Sequence, residues 1–250
     1  MSQGHAVIVG GTKGLGKVIT KNFAARGLAT TVVSRSKPSV DVGGAGPRHV
    51  SADLEKLVDA GDAGPIVAEI LAGQGPLRYV AFCQRYRGTG DTWTGELQVG
   101  PTATRLLLDA FASHFAADGD RAVAIVSSVY AEVVGASQQV GYHVAKAALN
   151  GLVRYYAGSL GAKGVRINAI MPLTYVKAEN QAAYEANQPL TELYREFVPL
   201  GRMGRAEESA DAIDFLCSEK ASFITGQCLY VDGGVSTLWP ETVARHLTKL

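Results

Sequence analysis

Ala6-Val7-Ile8-Val9-Gly10-Gly11-Thr12-Lys13-Gly14-Leu15-Gly16 decides the reading of this chain. Ala6–Gly10 is a short, unbroken apolar run ending in glycine, the pattern of a strand buried on both faces. From Leu15 to Arg26 the apolar residues recur at helical spacing instead. Between the two lies a turn with glycines at 10, 14 and 16. Such glycines permit a tight reversal, close approach of a pyrophosphate to the backbone, and close packing of the helix on the sheet. The N-terminus of the following helix offers unpaired N–H groups to an anion. A strand, a glycine turn and a helix in this order predict a dinucleotide site at the start of an α/β domain.

The same alternation continues to the end of the chain. Strands are expected at Thr30–Ser34, His49–Ala52, Leu77–Phe82, Ala122–Val126, Arg166–Ile170 and Cys228–Val231. Helices are expected near Pro65–Ala72, Thr102–Ala116, Tyr142–Leu160 and Ala206–Cys217, and a glycine/proline loop at Val40–Pro47. Together with the first strand this predicts a Rossmann-type, doubly wound sheet of seven parallel strands in one domain spanning residues 1–250. Leu173–Pro199 is the least regular stretch. It follows a strand whose carboxyl end should face a ligand, so it is the expected substrate lid.

Composition narrows the function. The 24 Lys and Arg balance 23 Asp and Glu, a net charge of +1 that advertises no nucleic-acid partner. The three cysteines, Cys83, Cys217 and Cys228, show neither metal-ligand spacing nor a disulfide framework, and fit reduced thiols in the cytoplasm. No signal peptide, membrane span or metal site is expected.

Two groups of residues carry chemistry. Tyr142 and Lys146 stand four apart, on one face of the long helix. An ammonium close to a phenol stabilises the phenolate and lowers its pKa, so the tyrosine can exchange a proton with a substrate oxygen. The strand before it ends in Ser127-Ser128, where a ligand belongs. Ser128 is the preferred partner, with Ser127 the alternative. The second group is Lys13, Ser34 and Arg35. No acid ends the second strand, where a site for the unphosphorylated ribose has one. Two cations and a hydroxyl there favour a 2′-phosphate and hence NADPH; the competing reading is solvated surface charge. Asp53 is either an acceptor for the adenine amine or a helix N-cap.

The turn Gly10-x-x-x-Gly14-x-Gly16, with Ser128, Tyr142-x-x-x-Lys146, Arg166-Ile167-Asn168 to Pro172, and Val231-Asp232-Gly233-Gly234, resembles the compact branch of the short-chain dehydrogenase/reductase family. That resemblance implies cofactor contacts from Gly10, Thr12, Lys13, Gly14, Leu15, Gly16, Ser34, Arg35, Asp53, Tyr142, Lys146 and Pro172. It implies catalytic roles for Ser128, Tyr142 and Lys146, and a homotetramer or homodimer paired through the helices near 102–116 and 142–160. The four-residue Tyr/Lys spacing differs from that of the family's enoyl reductases. Val9 replaces a threonine and Leu173 a glycine. Ala81-Phe82-Cys83-Gln84 stands where the family has Asn-Asn-Ala-Gly. The family's catalytic asparagine has no clear counterpart in Glu96–Gly100, although Gln98 could substitute.

The expected function is therefore NADPH-dependent interconversion of a ketone and a secondary alcohol, running as a biosynthetic reduction because cells keep the NADP pool reduced. The small-molecule substrate remains open. Arg85-Tyr86-Arg87 directly follows a strand and would suit a phosphate or carboxylate, or be plain solvated or interface charge. The loop also resembles relatives associated with surface polysaccharide, which implies a sugar-derived carbonyl. The alternatives are an epimerase or dehydratase on the same scaffold, which the compact length and Val-Asp-Gly-Gly end oppose, and a non-catalytic NADPH-binding regulator, whose sign would be loss of Tyr142 or Lys146.

Overall fold

A computed structural model describes residues 4–37 and 46–248. The first strand, β1 (His5–Val9), is buried at every position, as its unbroken apolar run requires. The chain then turns into α1 (Gly14–Ala25) and returns as β2 (Ala29–Ser34). Next come β3 (Arg48–Ser51), α2 (Leu54–Ala60), α3 (Gly64–Leu71) and β4 (Leu77–Phe82). The expected loop at Val40–Pro47 lies outside the described residues up to position 45.

After β4 the chain forms α4 (Thr92–Leu97), a π-helical turn at Gln98–Thr102, and α5 (Ala103–Phe111). The helix expected at Thr102–Ala116 thus begins ten residues earlier and ends sooner. Pro101 sits inside the π turn and has no N–H to donate, so regular i→i−4 bonding cannot run through it. Downstream lie β5 (Arg121–Val126), α6 (Val140–Gly161) and β6 (Val165–Pro172). The segment Leu173–Pro199 is more regular than its sequence pattern. It contains β7 (Tyr175–Val176), α7 (Gln181–Ala186) and α8 (Gln188–Phe197), the last capped by Asn187 and with Pro189 in its first turn. The chain ends with β8 (Gly204–Arg205), α9 (Ala206–Leu216), β9 (Cys228–Val231) and α10 (Pro240–Thr248).

Seven strands form one parallel sheet in the order β3-β2-β1-β4-β5-β6-β9. Each face of the sheet carries its own apolar layer. One joins Val7, Val9, Phe82, Leu107, Phe111 and Ile125 under α3, α5 and α6. The other joins Ile8, Ile19, Phe23, Ala124, Ile170 and Ile213 under α1 and α9. Strand residues alternate between the two layers, which is why the buried strands read as continuous apolar runs. The strand order reverses at β1/β4, so the ends of these strands open a crevice there.

Candidate active site

The glycine turn borders this crevice. Gly10 has φ +83° and Gly14 φ +50°, backbone that favours glycine. A Cβ on Gly16 would collide with the Gly10 carbonyl, so α1 can start this close to β1 only with glycine there. Lys13 occupies the N-cap position without capping by its side chain. The Gly14 N–H instead donates to Glu179 Oε1 at 2.9 Å, so a carboxylate already sits on the helix N-terminus. That donor, with the dipole of a twelve-residue helix behind it, is suited to the phosphates of a dinucleotide.

On one side of the turn is a cavity of about 540 Å³, bordered by Gly10, Thr12, Lys13, Ser34, Arg35 and Asp53. The residues singled out for the adenosine half of a cofactor therefore share one space. Ser34 Oγ donates to the Ser36 carbonyl at 2.8 Å and lies 3.2 Å from His49 Nε2. Asp53 is an N-cap for α2, accepting from Glu55 N at 3.1 Å, so one of the two readings of this residue is realised while it still borders the cavity.

On the other side is a cavity of about 700 Å³. Gly14, Leu15, Gly16, Ser128, Tyr142, Lys146 and Pro172 all border it, and the 173–199 segment adds Thr174, Tyr175 and Lys177. The two serines after β5 divide their roles. Ser127 Oγ donates to the Lys146 carbonyl at 3.1 Å and is buried. Ser128 is extended, accepts from Tyr130 N at 3.2 Å, and borders the same cavity as Tyr142. Lys146 is buried, donates from Nζ to the Val126 carbonyl at 2.7 Å, and lies 5.5 Å from the Tyr142 ring centroid.

The electrostatics differ from the expectation for this pair. Burial pushes the Tyr142 hydroxyl above its ordinary pKa, and the groups that oppose it are Ser128, by hydrogen bonding, and Arg85, by charge. Lys146 lies farther from the ring than Arg85. Its ammonium bonds to a strand carbonyl, and burial lowers its own pKa to about 8, against the pull of Glu96. Arg85 Cζ lies closer, 4.6 Å from the centre of the Tyr142 ring.

Glu96 was not legible from sequence. It is 8% exposed, its Oε1 is 3.7 Å from Arg85 Nε, and burial raises its pKa against the pull of Arg85 and then Lys146. Nothing in the sequence separates this glutamate from a surface one, because its burial depends on α4 packing against α6. Gln98 points elsewhere: its side-chain amide donates to Asp59 Oδ1 on α2 at 3.1 Å, on the exposed side. It is therefore not placed to replace the missing asparagine. Arg85 also donates to Gln138 Oε1 at 2.6 Å.

Comparison with known proteins agrees with this construction. A family profile described as Enoyl-(Acyl carrier protein) reductase matches residues 82–236. A galactitol 2-dehydrogenase (L-tagatose-forming) of Cereibacter sphaeroides is 30% identical over 244 residues, covering 94% of this chain and 95% of the relative.

The chain belongs to the short-chain dehydrogenase/reductase family.

A second family member, the cis-4-hydroxycyclohexanecarboxylate dehydrogenase of Sinomonas cyclohexanicum, is 29% identical over 252 residues, 93% of this chain and 96% of its own. Among solved structures, the TT0495 protein of Thermus thermophilus superposes with a TM-score of 0.80 at 28% identity, covering 94% of this chain and all of that one. The chain is thus an oxidoreductase of this family, acting on small molecules with a nicotinamide cofactor. Among the described residues no helix is long and apolar enough to cross a membrane.

Proposed function

We propose that this enzyme is an NADPH-dependent reductase interconverting a ketone and a secondary alcohol. The observation carrying the reading is the meeting of Ser128, Tyr142 and Lys146 at one cavity that shares the glycine turn with a second, cation-bordered cavity. Bound NADPH would supply the hydride that reduces the carbonyl carbon. Ser128 orients the substrate oxygen by hydrogen bonding, and Tyr142 Oη delivers the proton that oxygen takes up. Lys146 holds the ribose next to the nicotinamide, and Arg85 over the ring stabilises the phenolate left behind. Lys13, Ser34 and Arg35 favour the 2′-phosphate, since each charge-assisted hydrogen bond contributes about 1.5–3 kcal/mol. Pro172 and the 173–199 segment close the substrate side.

The relatives support an alcohol–ketone pair, because two of them are named for dehydrogenation of a polyol or of a ring hydroxyl. The four-residue Tyr/Lys spacing favours a carbonyl over the enoyl group in the family profile's description. Homo-oligomerisation through α5 and α6 belongs to the same reading, and the exposed Val140, Val144 and Tyr155 on α6 support it. The test is NADPH oxidation by the purified protein against a panel of ketones, keto acids and sugar-derived carbonyls, with NADH in parallel and enoyl thioesters as a control. Consumption of NADPH with a ketone supports the reading. Turnover confined to enoyl thioesters, or tighter binding of NADH than NADPH, overturns it.

A further inference from the structure

The loop between Ser128 and Tyr142 buries one residue among exposed neighbours. It opens with a 3-10 turn at Val129–Ala131 and then runs without regular structure to Val140, where α6 begins. Residues 132–134, 136 and 137 are exposed, whereas Gly135 is buried. Its backbone is held from α6. The Gly135 N–H donates to His143 Nε2 at 2.9 Å, and His143 Nδ1 lies 3.0 Å from the Gln139 carbonyl. An amide nitrogen only donates and a carbonyl only accepts, so Nδ1 carries the imidazole proton and Nε2 the lone pair. Both ring nitrogens are thereby committed to the backbone of this loop.

The same imidazole is half of a ring stack. Tyr130 lies 5.4 Å from His143, centroid to centroid, with 24° between the planes, within the range of favourable aromatic pairs. Tyr130 also packs on Gly135: a Cβ there would fall within the Tyr130 ring, so only glycine lets the backbone lie against it. Tyr130 in turn meets the ring of Tyr142 edge-on, at 6.3 Å and 80°. It is half-buried and borders the cavity that Tyr142 borders. Ser128 holds the start of the loop through Tyr130 N, and Arg85 and Thr92 hold its end through Gln138 and Gln139. His143 holds the middle, and with it the surface on which the Tyr130 ring rests.

We propose that His143 is a positioning residue that fixes the Tyr130 ring as the wall of the substrate site beside Tyr142, so that Tyr130 limits the size of the group next to the reacting carbonyl. This rests on the ketoreductase reading of the same cavity and assigns the residue that sets its selectivity. Tyr142 acts on the substrate oxygen, and Tyr130 bounds the space beside it.

The test separates the anchor from the wall. His143→Phe keeps a ring to stack on Tyr130 and removes both hydrogen bonds. His143→Gln puts an amide oxygen in the place of Nε2 without the ring. Exchange of the Gly135 amide hydrogen, read by NMR, needs no substrate. It should be at least about tenfold faster in His143→Phe, and within about threefold of wild type in His143→Gln. Selectivity is the ratio of kcat/KM for adamantanone to that for cyclohexanone, with NADPH. Tyr130→Ala should raise this ratio at least about tenfold, through the KM of the bulky ketone more than through kcat. His143→Phe should move it the same way by about threefold or more, while Tyr130→Phe and His143→Gln keep it within about twofold of wild type. Thermal melting checks that every variant folds. Unchanged Gly135 exchange in a folded His143→Phe overturns the proposal. So does a Tyr130→Ala variant that gains nothing on adamantanone, whatever other ketones are reduced. Faster exchange in His143→Phe with the ratio unmoved also overturns it, leaving His143 a purely structural contact. A wild type that reduces no ketone, while His143→Phe still speeds Gly135 exchange, would retain the anchor and defeat the ketoreductase reading, and the wall's role in selectivity with it.

Discussion

Two residues carry the main chemical expectations. Tyr142 is half-buried and borders the same cavity as Ser128, while its ring lies under Arg85. Tyr142→Phe keeps the ring and its packing and removes only the proton donor. Turnover should fall by about 10²–10⁴-fold, the usual contribution of a positioned acid, while the melting temperature stays close to wild type. Near-normal turnover by the folded variant would exclude the mechanism. Arg35 is exposed at the end of β2, beside the cavity that Lys13 and Ser34 share. Arg35→Asp replaces a guanidinium with a like charge to the 2′-phosphate. NADPH should bind at least about tenfold more weakly, the equivalent of about 1.4 kcal/mol, with NADH affinity little changed. Parallel calorimetric titrations with the two cofactors check this, and an equal loss for both would remove Arg35 from phosphate recognition.

At the scale of elements, the N-terminus of α1 and the segment after β7 meet in one contact. Glu179 lies on the helix N-terminus, and its pKa is lowered, first by the backbone bond from Gly14. If the dinucleotide's phosphates take this position, Glu179 must leave it. A carboxylate at a helix N-terminus contributes about 0.3–1 kcal/mol. Glu179→Ala should therefore bind NADPH about two- to fivefold more tightly, read by the quenching of protein fluorescence on titration. Unchanged or weaker binding would show that the carboxylate and the cofactor do not compete. The elements also show where periodicity misleads. Thr92–Phe111 is one helical run broken by a π turn at Pro101, and proline together with polar residues reads as the end of a loop. In the 173–199 segment Leu190, Leu193, Tyr194 and Phe197 do recur at helical spacing, but Pro189 and the polar residues around them read as loop, and α7 and α8 lie largely in solvent.

For the whole molecule, a pH effect on stability follows from the first strand. His5 is fully buried at the start of β1, with Nε2 2.8 Å from Thr31 Oγ1. Burial, and then the charge of Arg48, lowers its pKa to about 4 from an ordinary 6.5. Between these values the unfolded chain binds a proton that the folded chain does not, so stability is full above pH 6.5 and falls as pH drops towards 4. The loss amounts to about 3 kcal/mol. Chemical denaturation of wild type and His5→Gln across this window should show the wild type losing more stability on acidification. Parallel curves for the two proteins would rule this residue out as a source of acid sensitivity.

The seven strands, the sheet they build and the helices α1, α3, α5, α6 and α9 were legible in the sequence, while α2, α4, α7, α8 and α10 were not. The legible elements depend on local rules: unbroken apolar runs for buried strands, glycine where backbone must approach backbone, and a spacing of four for side chains sharing a helix face. The meeting of Gly10–Gly16 with Ser128, Tyr142 and Lys146 was implied by the family resemblance. Tertiary structure alone decided which groups act on one another. Arg85 lies closer than Lys146 to the ring of Tyr142, Glu96 is drawn inside, and Gln98 turns to Asp59. These pairings join residues from different elements across a cavity, and burial sets their energies. Periodicity specifies which face of an element is buried; it does not specify which charge lies opposite it once the elements are packed.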